Sequence, residues 1–150
     1  VLATFLRNLG WCGGQYVDNI IFGKHYDEVK FRSIIDACAL TDDLNVLGWN
    51  AYVGEAGCTL SGGQRARISL ARAVYQEKQV YLLDDVLSGL DGIVAQHIMQ
   101  RCLLGLLRHT TRVLVTHSQR HLVKTNYIVL LHDGQIIKQG IRGLIYTHLS

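Results

Sequence analysis

The sequence predicts an α/β fold, with a parallel sheet flanked by helices and joined to a helical region. Two apolar runs, residues 80–83 and 112–116, have the length and continuity of strands buried on both faces. Residues 61–77 and 91–108, just ahead of them, carry apolar side chains at helical spacing. Strand and helix in alternation imply parallel strands joined by right-handed crossovers. The composition, 49% hydrophobic and 18% charged over 150 residues, suits an ordered domain with a core of its own.

From the N-terminus to about Gly57 the pattern is one of short helices and loops. Residues 26–40 form the clearest helix, with Val29, Ile34, Ala37, Cys38 and Leu40 recurring at near-helical intervals. Thr41, Asp42 and Asp43 resemble a cap, opening a short helical turn through Val46. Residues 45–57 are turn-rich, with Gly48, Gly54 and Gly57. In the helix over 61–77, Ile68, Ala71 and Val74 share one stripe, and Arg65, Arg67 and Arg72 are expected on a solvated face. In the helix over 91–108, Val94, Ile98, Cys102 and Leu106 are expected inward. His132-Asp133-Gly134 joins residues 127–131 and 135–138 as a hairpin, and residues 141–149 close the chain as a helix. Proline is absent, so turns depend on the 15 glycines with Asn and Asp.

A net charge of +3 is too small to point to nucleic acid or an acidic membrane. Cys12, Cys38, Cys58 and Cys102 form no Cys-x-x-Cys pair and read as reduced, partly buried thiols of a cytosolic protein. The first residue is Val, with no basic stretch of a signal peptide, and reads as an interior cut of a longer chain. No apolar run approaches the roughly 18 residues that span a bilayer.

Leu60-Ser61-Gly62-Gly63-Gln64 is the first candidate site. Ser61 suits an N-cap, and two glycines let an anion reach the first-turn N–H groups of the helix that follows. Alone, such a turn is equally an ordinary loop-to-helix junction. Asp84 and Asp85 follow the first apolar run, at the strand end where ligands of parallel sheets sit. In phosphoryl-transfer sites one such carboxylate holds Mg²⁺ and another acidic group orients the attacking water. By themselves, two acids in a loop are as readily solvated. His117 ends the second strand and could donate to a phosphate oxygen, whereas the other six histidines have no motif around them.

The order of these pieces resembles the nucleotide-binding domain of the ATP-binding cassette family. It runs from the Ser-Gly-Gly-Gln helix through the apolar strand, Asp84-Asp85, Ser88-Gly89-Leu90-Asp91 and the second strand to His117. That domain is a P-loop NTPase-like parallel sheet with flanking helices and an α-helical subdomain. Residues 60–64 match its signature motif, 80–85 its Walker B strand, 88–91 its D-loop, and His117 its switch histidine. Arg65-Ala66-Arg67-Ile68-Ser69-Leu70-Ala71-Arg72-Ala73 is typical of the helix after the signature. Residues 18–24 and 37–40 look like the helical subdomain of subfamily C exporters, the multidrug-resistance-associated type. Val53, Gly54 and Glu55 sit where exporters carry the X-loop, which touches the coupling helices of the transmembrane domains. Asp84-Asp85 rather than Asp-Glu, preceded by Ala-Val-Tyr-Gln-Glu-Lys, looks most like a first nucleotide-binding domain of that subfamily.

The resemblance covers roughly residues 11–140. It implies a partial nucleotide-binding domain, with a helical and signature part over about 15–75 and the Walker B part over about 76–150. It also implies ATP against Leu60, Ser61, Gly62, Gly63, Gln64 and Asp91, Mg²⁺ on Asp84, and catalytic roles for Asp85 and His117. The implied partners are a second, head-to-tail nucleotide-binding domain and transmembrane domains, with no nucleic acid. The implied place is the cytoplasmic face of a membrane, within an integral transporter.

Several positions depart from the family pattern. No Gly-x4-Gly-Lys-Ser/Thr phosphate loop occurs in these residues, so the resemblance implies an incomplete, inactive fragment when the chain stands alone. Counting back from Trp11 puts Asn8 at the Q-loop position, while Gln15 is out of register. Val86 replaces the usual proline and Gly89 the usual alanine. Asp85 stands where hydrolytic members carry glutamate, and the missing methylene withdraws its carboxylate by roughly 1.5 Å. Its own site is then weakened, and residues 61–64 would complete the site of the opposite domain. Two further readings are a soluble cassette ATPase of DNA maintenance or translation and a truncated, non-catalytic product.

Overall fold

In the computed structural model, Leu2–Phe5 (β1), Val80–Asp84 (β2) and Thr111–Val115 (β3) form a parallel sheet in the order β1-β2-β3. The structure describes residues 2–5, 14–49, 51–53 and 60–146. They fall into two compact units, Val1–Val115 and Thr116–Ser150. Asn8, Cys12, Gly54, Glu55, Gly57 and Cys58 lie outside the described residues.

The parallel sheet bears out the predicted fold class, but its burial differs from the expectation. Along β2, Tyr81 and Leu83 are buried while Val80 and Leu82 are only part-covered. On β3, Val113 and Val115 are 51% and 55% exposed. Continuous apolar sequence therefore marks strands buried on one face here. β3 is the edge of the described sheet, and only its alternate positions turn toward the core.

Among the described residues, four helices lie between β1 and β2: Tyr16–Ile21 (α1), Glu28–Ala37 (α2), Thr41–Leu47 (α3) and Gly62–Tyr75 (α4). Asp27 caps α2 by accepting the Lys30 N–H at 2.9 Å. The helix buries Phe31, Ile34, Ile35 and Ala37. Val29, predicted inward, is 81% exposed, because the buried stripe begins at Phe31. Leu40, not Thr41, occupies the α3 cap position, and Asp42 and Asp43 lie in its first turn, where carboxylates complement the helix dipole. Ile68, Ala71 and Val74 of α4 are buried as predicted.

The arginine face of α4 is the clearest correction. Arg72 is 3% exposed, donating to the Asn19 carbonyl at 2.6 Å and to Asn19 Oδ1 at 2.9 Å, with its guanidinium over the Phe22 ring. A charge can be buried when its donors are satisfied in this way. This side of α4 is an interface with α1, not a solvated face.

After β2 come Gly92–Ile98 (α5) and a π-helical run, Met99–Leu106, in place of one α-helix. The wider i→i+5 turn shifts the buried stripe by one residue. Leu107 is buried and its N–H donates to the Cys102 carbonyl at 3.0 Å, while Leu106, expected inward, is 42% exposed. Cys38 and Cys102 are buried free thiols that hydrogen-bond to each other, and that bond, with burial, raises the Cys38 pKa.

The second unit holds Gln119–Leu122 (α6), the antiparallel hairpin Tyr127–His132 (β4) and Gln135–Ile141 (β5), and Arg142–Tyr146 (α7). Asp133 and Gly134 both have positive φ, 47° and 74°, as a type I′ turn requires. Ile145 of α7 packs back against Gly140, and residues 147–150 lie outside the described residues. Among the described residues no helix is long and apolar enough to cross a membrane.

Candidate functional site

The start of α4 is held by reciprocal capping. Ser61 is extended (φ −65°, ψ 161°), and its Oγ accepts the Gln64 N–H at 3.2 Å. Gln64 Oε1 in return accepts the Ser61 N–H at 2.9 Å. Arg65 donates to the Leu60 carbonyl at 2.9 Å, and the Leu60 side chain is buried. The two glycines differ. Among the described residues a Cβ on Gly62 would meet nothing within 4 Å, whereas one on Gly63 would lie 3.4 Å from Leu90 Cδ2. The 88–91 segment thus packs on the first turn of α4. At a helix start the first N–H groups lack intrahelical acceptors, and Gly62 and Gly63 carry no side chain of their own to cover them.

Asp43 braces this turn from the α3 side, with Arg67 as its ion-pair partner. Asp43 accepts Gln64 Nε2 on Oδ1 and Arg67 Nη2 on Oδ2, both at 2.8 Å. The buried Tyr16 feels the charges of Asp43 and Arg67. Burial, then the nearby Asp43 carboxylate, pushes its phenol well above the usual range, and Arg67 opposes this. Sequence reading missed Asp43, since its partners lie 21 and 24 residues away and no local pattern links them.

Asp84 is exposed at the end of β2. Asp85 takes a left-handed conformation (φ 50°), with its N–H on the Val115 carbonyl at 3.0 Å and its carbonyl accepting the Ser88 N–H at 3.2 Å. Aspartate is among the residues that tolerate this region, and the twist ends the strand. Among the described residues no three His, Cys, Asp or Glu side chains gather as a metal cluster. Asp84 suits the other mode of Mg²⁺ binding, one or two carboxylates plus phosphate oxygens. Asp91 caps α5, its Oδ1 accepting the N–H groups of Ile93 and Val94 at 3.0 Å each.

His117 belongs to the second unit and is exposed. Beside it Thr116 Oγ1 pairs with His121 Nδ1 at 3.0 Å. Val53 is buried and donates its N–H to the Gly14 carbonyl at 3.0 Å. Gln15 bridges to Tyr52 and opens α1. Gln15, Val17, Asp18, Tyr26, Arg32 and Trp49 line an open groove beside it. The first unit therefore brings residues 60–64 together with Leu90, and Asp84 with Asp85.

The ABC transporter family profile matches residues 11–88. ATP-binding cassette sub-family C member 10 of Mus musculus is 54% identical over 125 residues, which is 82% of this chain and 8% of the relative. The Homo sapiens protein of the same name is 52% identical over the same shares. ATP-binding cassette sub-family C member 4 of Mus musculus is 43% identical over 129 residues, 85% of this chain and 10% of that protein. The chain spans about a tenth or less of the length of these curated relatives. With more than half of its residues in the family match, and subfamily C members among its relatives, the chain belongs to the ABC transporter family.

Proposed function

We propose that the chain is part of the ATP-binding and hydrolysis module of a subfamily C exporter, in which nucleotide-driven pairing of two domains drives transport. The observation that carries this reading is the start of α4, with its capping box and side-chain-free glycines inside the family match. Ser61, Gly62 and Gly63 offer a hydroxyl and backbone N–H groups to the phosphates of ATP bound on the opposite nucleotide-binding domain. Leu60 and Gln64 set the geometry of that turn, and Asp91 holds the neighbouring segment as a helix cap.

At the end of β2 Asp84 would hold Mg²⁺, and Asp85 would orient the attacking water with a shortened reach; His117 is the residue that would contact phosphate. The groove lined by Gln15, Val17 and Trp49 receives a segment of the transmembrane domains, and residues 53–55 are the X-loop that touches them. In this reading the domain lies on the cytoplasmic face of the membrane and binds no nucleic acid.

The test is steady-state ATP turnover and thermal stability of the full-length transporter. A Gly62→Asp side chain has open space, and an acidic group at a helix start favours the dipole. It should leave melting unchanged or slightly raised, yet lower turnover at least about tenfold by repelling phosphate. Asp85→Asn should change turnover less than about twofold, because the weakened site contributes little. Full turnover in Gly62→Asp, or its loss in Asp85→Asn, would overturn the assignment.

A further inference from the structure

We propose that Asp43 is a positioning residue for the phosphate-facing end of α4, fixing which end of the Gln64 amide faces the Ser61 cap. The inference rests on the functional reading above and adds a residue outside residues 60–64 and 80–91.

The Gln64 amide is held at both ends. Its oxygen accepts the Ser61 N–H at 2.9 Å, and its nitrogen donates to Asp43 Oδ1 at 2.8 Å. A carboxylate only accepts, and a backbone N–H only donates. If the amide flipped, its NH₂ would face the Ser61 N–H and its oxygen would face the carboxylate, two repulsions in place of two bonds. Asp43 thus leaves one orientation, the one that closes the capping box.

The same carboxylate reaches the next turn of the helix. Its Oδ2 accepts Arg67 Nη2 at 2.8 Å, and the paired side chains are only 15% and 14% exposed for Asp43 and Arg67. Partial desolvation strengthens such a charge-assisted bond relative to an exposed pair. Asp43 lies in the first turn of α3, so one residue ties α3 to two positions of α4. On the other flank Arg65 holds the Leu60 carbonyl. The backbone entering α4 is therefore fixed on both sides before any nucleotide arrives. That is preorganisation of the donors, with no contact between Asp43 and the nucleotide.

Asp43→Ala and Asp43→Asn in the full-length transporter test this. Asn keeps an oxygen for Gln64 Nε2 but loses the charge that holds Arg67. Amide exchange over residues 61–66 should rise about tenfold in Asp43→Ala, the weight of one charge-assisted hydrogen bond, and less in Asp43→Asn. Exchange in the sheet should stay unchanged. The KM for ATP should rise in the same order, with kcat at saturating ATP within about twofold, because binding restores the geometry. Should Asp43→Ala fail to fold, Asp43→Asn carries the same two readouts. Unchanged exchange over 61–66 would overturn the role of Asp43 even if Gly62→Asp abolishes turnover. Faster exchange with an unchanged KM would instead sink the nucleotide reading and leave the clamp standing.

Discussion

Tyr16 buries its hydroxyl with no hydrogen-bond partner among the described residues, a cost that the packing of its ring offsets. Tyr16→Phe should therefore be neutral or stabilising by up to about 1 kcal/mol in a denaturant titration. The pH dependence has a defined sign. Burial raises the folded-state pKa above the unfolded value near 10, so the fold favours the neutral phenol. That contribution is fully present below about pH 10 and is lost as pH rises toward the folded value. Stability of the native protein should fall above pH 10, and less so in Tyr16→Phe. Tyr81 is shifted in the same direction by burial, so the fall is reduced rather than abolished. At this scale the sequence was an uneven guide. Ser61 and Gln64 stand three apart, and their capping box was half visible in that spacing, whereas Asp43 is joined to them only by the tertiary fold. Arg72 illustrates the converse. Its charge implied solvent, and the partner that permits burial, Asn19, lies on another helix.

Among the elements, the run from α5 into the π-helix departs most from a regular reading. A sequence shows the apolar period but not a local change of turn, so the stripe through Val94 and Ile98 was extrapolated to Leu106 when Leu107 is the buried residue. Leu107→Ala should cost about 2–5 kcal/mol and Leu106→Ala less than about 0.5 kcal/mol, read from denaturation midpoints at constant slope. Gly105 gives a second check. In an α-helix Gly→Ala would gain about 1 kcal/mol. Here the new Cβ would lie 3.1 Å from the Gln100 carbonyl oxygen, so the substitution should destabilise by about 1 kcal/mol or more. The hairpin was legible because Asp133-Gly134 states its turn type locally. The burial of β3 was not, since an apolar run looks the same at a sheet edge as at its centre.

For the whole molecule, the 150 residues contain no Gly-x4-Gly-Lys-Ser/Thr loop. The chain by itself should bind MgATP no more tightly than about 1 mM by calorimetry, and a micromolar Kd would contradict the half-site reading. The fold class was legible because alternation of apolar runs and helical patterns constrains topology strongly, and the parallel sheet follows from it. The sheet register also bears on the order of synthesis. β1 pairs Leu2 with Val80, so the first strand waits for a partner that emerges some seconds later at roughly 5–20 residues per second. The helices α1 to α4, including the start of α4, lie in the loop that this pairing closes. By contrast β4 and β5 meet across two residues and can zip within about 1–10 μs. The first unit is thus the slow-folding one, because its sheet closes only across a long stretch of chain while the hairpin closes locally.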